Sequence, residues 1–147
     1  GDPGQPYIAG HSAGGQLAAM LMATDWSGFN VAADAIKGVC AISGIFNLEP
    51  IRLSDLNQVL NMDIAAARRN SPVKLLPAIA CPLAVVVGAD ETDEFRDQSK
   101  ELYDRWRNII PVEIVQAEGL NHFSIVETIV DPGSSLHKIV RRLMKIQ

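Results

Sequence analysis

Apolar positions along the chain alternate between short unbroken runs and longer stretches in which they recur every three or four residues. Tyr7-Ile8-Ala9 is a short run ending at Gly10, and Val39-Cys40-Ala41-Ile42 lies between Gly38 and Gly44. Leu83-Ala84-Val85-Val86-Val87 lies between Pro82 and Gly88, and Val112-Glu113-Ile114-Val115 follows Pro111. Runs of this length, bounded by glycine or proline, predict strands. The third has no polar position, which predicts a strand buried on both faces. Residues 13–23 are rich in helix formers and apolar nearly all round, predicting a buried helix. Residues 94–108 put Phe95, Leu102 and Trp106 on one stripe with charges opposite. Residues 136–146 turn Ile139, Val140 and Leu143 to one side and Lys138, Arg141 and Arg142 to the other. Strand and helix in alternation predict βαβ units: an α/β fold with a mostly parallel sheet and helices on both faces.

One stretch breaks the rhythm. Residues 46–76 are too long for a simple crossover and carry helix-like pieces at 53–62 and 64–69, with a stop at Ser71-Pro72. Ligands of open α/β sheets sit beyond the carboxyl ends of the strands. An insertion after the second strand is therefore expected to overhang such a site as a helical, cap-like excursion; a packing role without substrate contact is the plain alternative.

The 147 residues fit one domain, and 48% apolar with 20% charged residues is ordinary globular composition. A net charge of −4 without a Lys/Arg cluster gives no footprint for nucleic acid or an anionic membrane, so neither is expected as a partner. No apolar run approaches the ~18 residues of a membrane span. The first residues have no signal-peptide core, and the expected compartment is the cytoplasm. Cys40 and Cys81 sit in or beside apolar runs and are expected to be buried, reduced thiols. Two Cys and three widely spaced His give no metal-ligand pattern, and neither a metal nor an organic cofactor is expected.

Gly10-His11-Ser12-Ala13-Gly14 fits G-x-S-x-G. At ~7% glycine and similar serine that pattern arises by chance in about one chain in twenty of this length, so context decides. Here a strand precedes it and a helix follows. Such a turn exposes the serine hydroxyl above the sheet, with Gly10 and Gly14 expected to remove Cβ atoms where strand and helix crowd. The helix N-terminus places free N–H groups beside the nucleophile, and the N–H of Ala13 can donate to an oxyanion. A P-loop would need Gly-Lys-Ser/Thr and a dinucleotide turn G-x-G-x-x-G; the chain has neither at this turn.

A serine nucleophile needs a base, and the base an orienting acid, following in the order Ser, acid, His. His11 is too close to Ser12 to swing back and reads as a structural residue of the turn. His137 falls on the polar side of the last helix and reads as solvated surface. His122, in Gly119-Leu120-Asn121-His122-Phe123 after the fourth strand, stands where the base belongs. After the third strand, Gly88-Ala89-Asp90-Glu91 offers two adjacent carboxylates, and spacing does not choose between Asp90 and Glu91. Asp93 and Glu94 behind them suit a helix N-terminus.

The chain resembles the α/β-hydrolase superfamily, and within it the kynurenine formamidase (arylformamidase) group and its esterase relatives. The resemblance rests on Gly1-Asp2-Pro3, on Gly-His-Ser-Ala-Gly-Gly-Gln-Leu-Ala-Ala-Met-Leu from Gly10, on Ser43-Gly44-Ile45-Phe46-Asn47-Leu48-Glu49-Pro50-Ile51 and on Asn70-Ser71-Pro72. Further on it rests on the stretch 87–99, with Glu94-Phe95-Arg96-Asp97-Gln98-Ser99, and on Asn121-His122-Phe123-Ser124-Ile125-Val126-Glu127. It implies Ser12 as nucleophile, His122 as base and Glu91 as acid, since the family's acid lies three residues after the glycine ending its strand. Many relatives have Asp at that place, which keeps Asp90 as the alternative, and the family usually has Asp where Asn47 stands. Phe46 and Phe123 are the substrate-pocket candidates.

The resemblance implies a cofactor-free serine hydrolase acting on a small-molecule formamide or ester, with N-formylkynurenine as the expected substrate. A general carboxylesterase on small acyl or aryl esters and a catalytically inactive hydrolase fragment are the alternatives. It begins just before the nucleophile strand, so the chain is expected to correspond to the C-terminal half of such a hydrolase, lacking the family's earlier strands and its His-Gly-Gly oxyanion loop. The strand 7–9 is then expected to be an edge through which the chain self-associates as a homo-oligomer.

Overall fold

The computed structural model describes residues 4–146; Gly1-Asp2-Pro3 lies outside the described residues. Strands β1 (Tyr7–His11), β2 (Gly38–Ile42), β3 (Leu83–Gly88) and β4 (Val112–Ala117) form one sheet in the order β1-β2-β3-β4. All three pairings are parallel, with Tyr7 opposite Gly38, Val39 opposite Leu83, and Leu83 opposite Val112. Every residue of β2 and β3 is buried. Side chains alternate between faces along a strand, so an unbroken apolar run feeds two cores. Val39, Ala41, Leu83 and Val85 face one core, while Cys40, Ile42, Ala84 and Val86 face the other.

The helices close both faces. They are α1 (Ala13–Ala23), α2 (Glu49–Arg52), α3 (Asn57–Leu60), α4 (Ile64–Arg69), α5 (Asp93–Trp106), α6 (Ser124–Glu127) and α7 (Ser135–Leu143). Ala18, Ala19 and Met22 of α1 and Leu102 and Trp106 of α5 complete the first core. Ile125 of α6 and Leu136 and Ile139 of α7 complete the second. A fully buried Leu, Ile or Met contributes about 1.5–3 kcal/mol from transfer alone, so α1, α5 and α7 are held mainly by these faces. Helix α7 ends earlier than the predicted 136–146, at Leu143; two residues on, Lys145 takes a left-handed φ of 53° that no helix continues through.

The excursion departs further from expectation. The helix predicted over 53–62 shrinks to the single turn α3, and a separate turn, α2, forms just before it. Polar side chains divert the backbone there. Ser54 Oγ donates to Ile51 O at 2.8 Å, and the Asn57 amide bonds both Met62 N (2.7 Å) and Met62 O (3.0 Å) while Asn61 turns left-handed at φ 50°. Helix α4 starts where Asp63 accepts from Ala66 N at 2.6 Å. His137 is also corrected: it is half-buried, its Nδ1–H donating to Ile129 O at 2.8 Å, with Nε2 buried and unpartnered. Cys40 and Cys81 are buried and free, as expected. Burial, reinforced by the Glu113 charge, pushes the Cys40 thiol up to about 12, and burial pushes Cys81 up to about 11. Among the described residues no helix is long and apolar enough to cross a membrane.

Candidate active site

Ser12 is the hinge between β1 and α1. Its backbone sits at φ 57°, ψ −118°, a conformation costing of order 1–3 kcal/mol in a non-glycine residue. The surrounding structure over-determines it. Ser12 N donates to Ile42 O at 2.9 Å, and Ser12 O accepts from Gly15 N (2.9 Å) and Gln16 N (3.1 Å). A Cβ on Gly10 would lie 2.1 Å from Gly14 O, so the turn closes only over glycine there. The second crowded glycine is Gly15 rather than the expected Gly14. A Cβ on Gly15 would lie 2.9 Å from Gly44 Cα, whereas one on Gly14 would meet nothing within 4 Å. It is the seating of α1 on the end of β2 that needs the missing side chain. Ala13, the first residue of α1, has no intrahelical acceptor for its N–H, which is thus available beside Ser12.

The loops after β3 and β4 bring two further groups to this turn. His122 Nε2 lies 3.1 Å from Ser12 Oγ, and His122 Nδ1 lies 2.8 Å from Glu91 Oε2. With Nδ1 donating to the carboxylate, Nε2 is left as an acceptor facing the hydroxyl. The Glu91 side chain is fully buried and that of His122 is 20% exposed, so the imidazole bridges a dry carboxylate and an accessible oxygen. Glu91 Oε1 accepts from Ser43 Oγ at 2.5 Å and from Gly88 N at 2.8 Å. Asp90 is exposed and only its backbone is engaged, N donating to Leu120 O at 3.0 Å; its carboxylate takes no part.

The imidazole is packed on two sides. The His11 ring centroid lies 4.6 Å and the Phe95 centroid 4.3 Å from that of His122. His11 Nε2–H also donates to His122 O at 2.7 Å, tying the β1 turn to the histidine loop, which is the structural part expected of it. Arg96 braces the acid loop from α5, donating to Ala89 O at 2.9 Å and to Glu91 O. Gln98, buried in the same helix, accepts from Phe46 N (2.7 Å) and Asn47 N (2.8 Å) and donates to Glu94 at 2.6 Å. The Glu-Phe-x-x-Gln-Ser stretch thus supplies a wall for the imidazole and a pin for the start of the excursion.

The two aromatic pocket candidates fare differently. Phe123 is 76% exposed, its ring edge-on to His122 at 5.5 Å, so it stands at the rim of the site. Phe46 is a correction: it is 0% exposed and packed in the first core with Ala18, Met22 and Val73. The Gln98 amide holds its backbone, turning the ring inward against Gly44, where no substrate reaches. Reading the sequence missed Ser43, Arg96 and Gln98. Ser43 alone carried a usable signal, since it follows β2 as Ser12 follows β1. No group of three or more His, Cys, Asp or Glu able to hold a metal occurs among the described residues.

No protein-family model matches the chain. Kynurenine formamidases do: that of Danio rerio is 36% identical over 144 residues, covering 94% of this chain and 49% of the relative. That of Salmo salar is 36% identical over 145 residues, with the same coverage of 94% and 49%. Among solved structures, a candidate thioesterase from Silicibacter sp. TM1040 superposes with a TM-score of 0.79 at 32% identity, over 90% of this chain and 48% of that one. An α/β-hydrolase enzyme from a lagoon-sediment metagenome (Mar Chica, Morocco) superposes with a TM-score of 0.62 at 13% identity, over 97% of this chain and 62% of that one. The chain spans about half the length of the curated relatives it matches. By sequence the chain is similar to the kynurenine formamidases, and its fold is that of the α/β hydrolases.

Proposed function

We propose that this chain carries the catalytic machinery of a serine hydrolase of the kynurenine formamidase type, opening the formamide of N-formylkynurenine. The observation that supports it most is the unbroken relay from Ser12 Oγ through His122 to the buried Glu91 carboxylate. Ser12 Oγ attacks the formyl carbonyl as its proton passes to His122 Nε2. Glu91 stabilises the imidazolium that forms, and the Ala13 N–H donates to the tetrahedral oxyanion. Collapse breaks the C–N bond, the Nε2 proton leaves with the arylamine, and a formyl–Ser12 ester remains. Water, deprotonated by His122, then releases formate and restores the serine.

A second reading, a general esterase on small acyl or aryl esters, draws on the likeness to the candidate thioesterase, since the same steps act on a better leaving group. One experiment covers both. The chain is treated with a fluorophosphonate probe, the adduct is mapped, and formate release from N-formylkynurenine is compared with hydrolysis of p-nitrophenyl acetate. Labelling at Ser12 with kcat/KM favouring the formamide is expected. Labelling at Ser12 with a preference for the ester favours the second reading. Labelling elsewhere, or not at all, overturns the serine-hydrolase reading and leaves the inactive alternative.

A further inference from the structure

Ser43 has no place in the three-residue relay, yet its conformation and its contact are both unusual. It is wholly buried, and its backbone is left-handed at φ 47°. If position 43 served only to turn the chain at the end of β2, glycine would meet that φ without strain, and no hydroxyl would need a partner in the core. Instead Ser43 N donates to Val86 O at 2.7 Å, anchoring the residue beside β3. Its Oγ then donates to Glu91 Oε1 at 2.5 Å, the range of a charge-assisted O–H to carboxylate bond.

The Glu91 carboxylate is shut off from solvent, so only protein donors can hold its charge. Among the described residues Gly88 N, at 2.8 Å, is the one other donor on Oε1, and His122 occupies Oε2. Two donors converging on Oε1 from different strand ends fix the rotation of the carboxylate about its terminal torsion, and that rotation aims Oε2 at Nδ1. We infer that Ser43 is a positioning residue, a fourth member of the relay that keeps the Glu91 carboxylate pointed at His122. The inference rests on the proposed serine-hydrolase reading.

The test compares Ser43→Gly, which removes the hydroxyl and relieves the φ, with Ser43→Ala, which removes the hydroxyl alone. Each is made in the unaltered chain and with Glu91→Gln. The rate of Ser12 phosphonylation by a fluorophosphonate, and kcat and KM on p-nitrophenyl acetate, are measured, with circular dichroism melts as the folding control. Both variants are expected to slow phosphonylation roughly ten- to a hundredfold, the scale of a hydrogen bond to a charged group. The loss should fall in kcat with KM unchanged, and should vanish once Glu91 is Gln, because Ser43 acts only through that carboxylate. Rates within about twofold of the unaltered chain overturn the inference, as does an equal loss in the Gln background or failure of both variants to fold. No labelling of the unaltered chain at Ser12 overturns the serine-hydrolase reading itself, and this inference with it.

Discussion

Glu91→Gln separates the two candidate acids, and the surroundings of the carboxylate set the size of the effect. Oε1 accepts from Ser43 Oγ (2.5 Å) and Gly88 N (2.8 Å), and Oε2 from His122 Nδ1 (2.8 Å). A glutamine there has one acceptor oxygen. Turned with its oxygen toward Gly88 N, it keeps both of those bonds but presents its NH₂ to Nδ1. The imidazole must then carry its proton on Nε2, where it can no longer accept from Ser12. Turned the other way, the NH₂ opposes the Gly88 N–H and leaves a buried donor unpaired, costing about 1–3 kcal/mol. The first arrangement wins, and it holds the wrong tautomer. In a well-studied Ser-His-Asp triad the same amide replacement lowers kcat by about 10⁴, roughly 5.5 kcal/mol of barrier. Loss of that order is expected here in the rate of Ser12 phosphonylation and of p-nitrophenyl acetate hydrolysis, with the fold intact by circular dichroism. Asp90→Asn, at an exposed carboxylate, should change either rate by no more than about twofold. A larger loss from Asp90→Asn than from Glu91→Gln would refute this reasoning and move the acid to Asp90.

Four other outcomes follow from packing and exposure. Phe46→Ala should lower the unfolding free energy by about 3–5 kcal/mol in denaturant melts while leaving KM unchanged, because the ring fills core; a raised KM with unchanged stability would return Phe46 to the pocket. Cys40 and Cys81, their thiols pushed up to about 12 and about 11, stay protonated at neutral pH and should react with a disulfide reagent only after denaturation, read as thiolate released over time. The same raised values make the thiols' contribution to folding stability complete below their ordinary pKa of 9.0 and progressively lost as pH rises above it. Strand β1, an edge of the four-stranded sheet with Ala9 exposed, is proposed to pair between copies of the chain; sedimentation should show concentration-dependent association that a lysine or proline at position 9 suppresses, and a monomer at all concentrations would exclude it.

What the sequence discloses here is what depends on near neighbours. Leu83 to Val87 reads as a doubly buried strand because every side chain is apolar, and both cores receive one. Gly10-x-Ser12 announces its turn because crowding against Gly14 is a matter of four residues. His122 and the 90–91 pair are legible because each must follow a strand end, which strand order alone brings to one edge of the sheet. The choice between Asp90 and Glu91 is not local. It depends on how the strand ends line up: Gly88 N and Ser43 Oγ converge on the carboxylate three residues past Gly88, while Asp90 turns to solvent. Phe46 misleads for a similar reason. An aromatic residue just past a strand end suits a pocket, and its inward turn is imposed by Gln98, 52 positions away in sequence. The same helix carries Phe95 against His122 and Arg96 against the acid loop, so α5 sets both the floor of the excursion and the geometry of the relay. A charged, amphipathic helix shows its buried stripe in sequence, but the partners of its polar residues are chosen by the loops that dock on it. That is why α5 reads correctly as a helix and silently as the frame of the site.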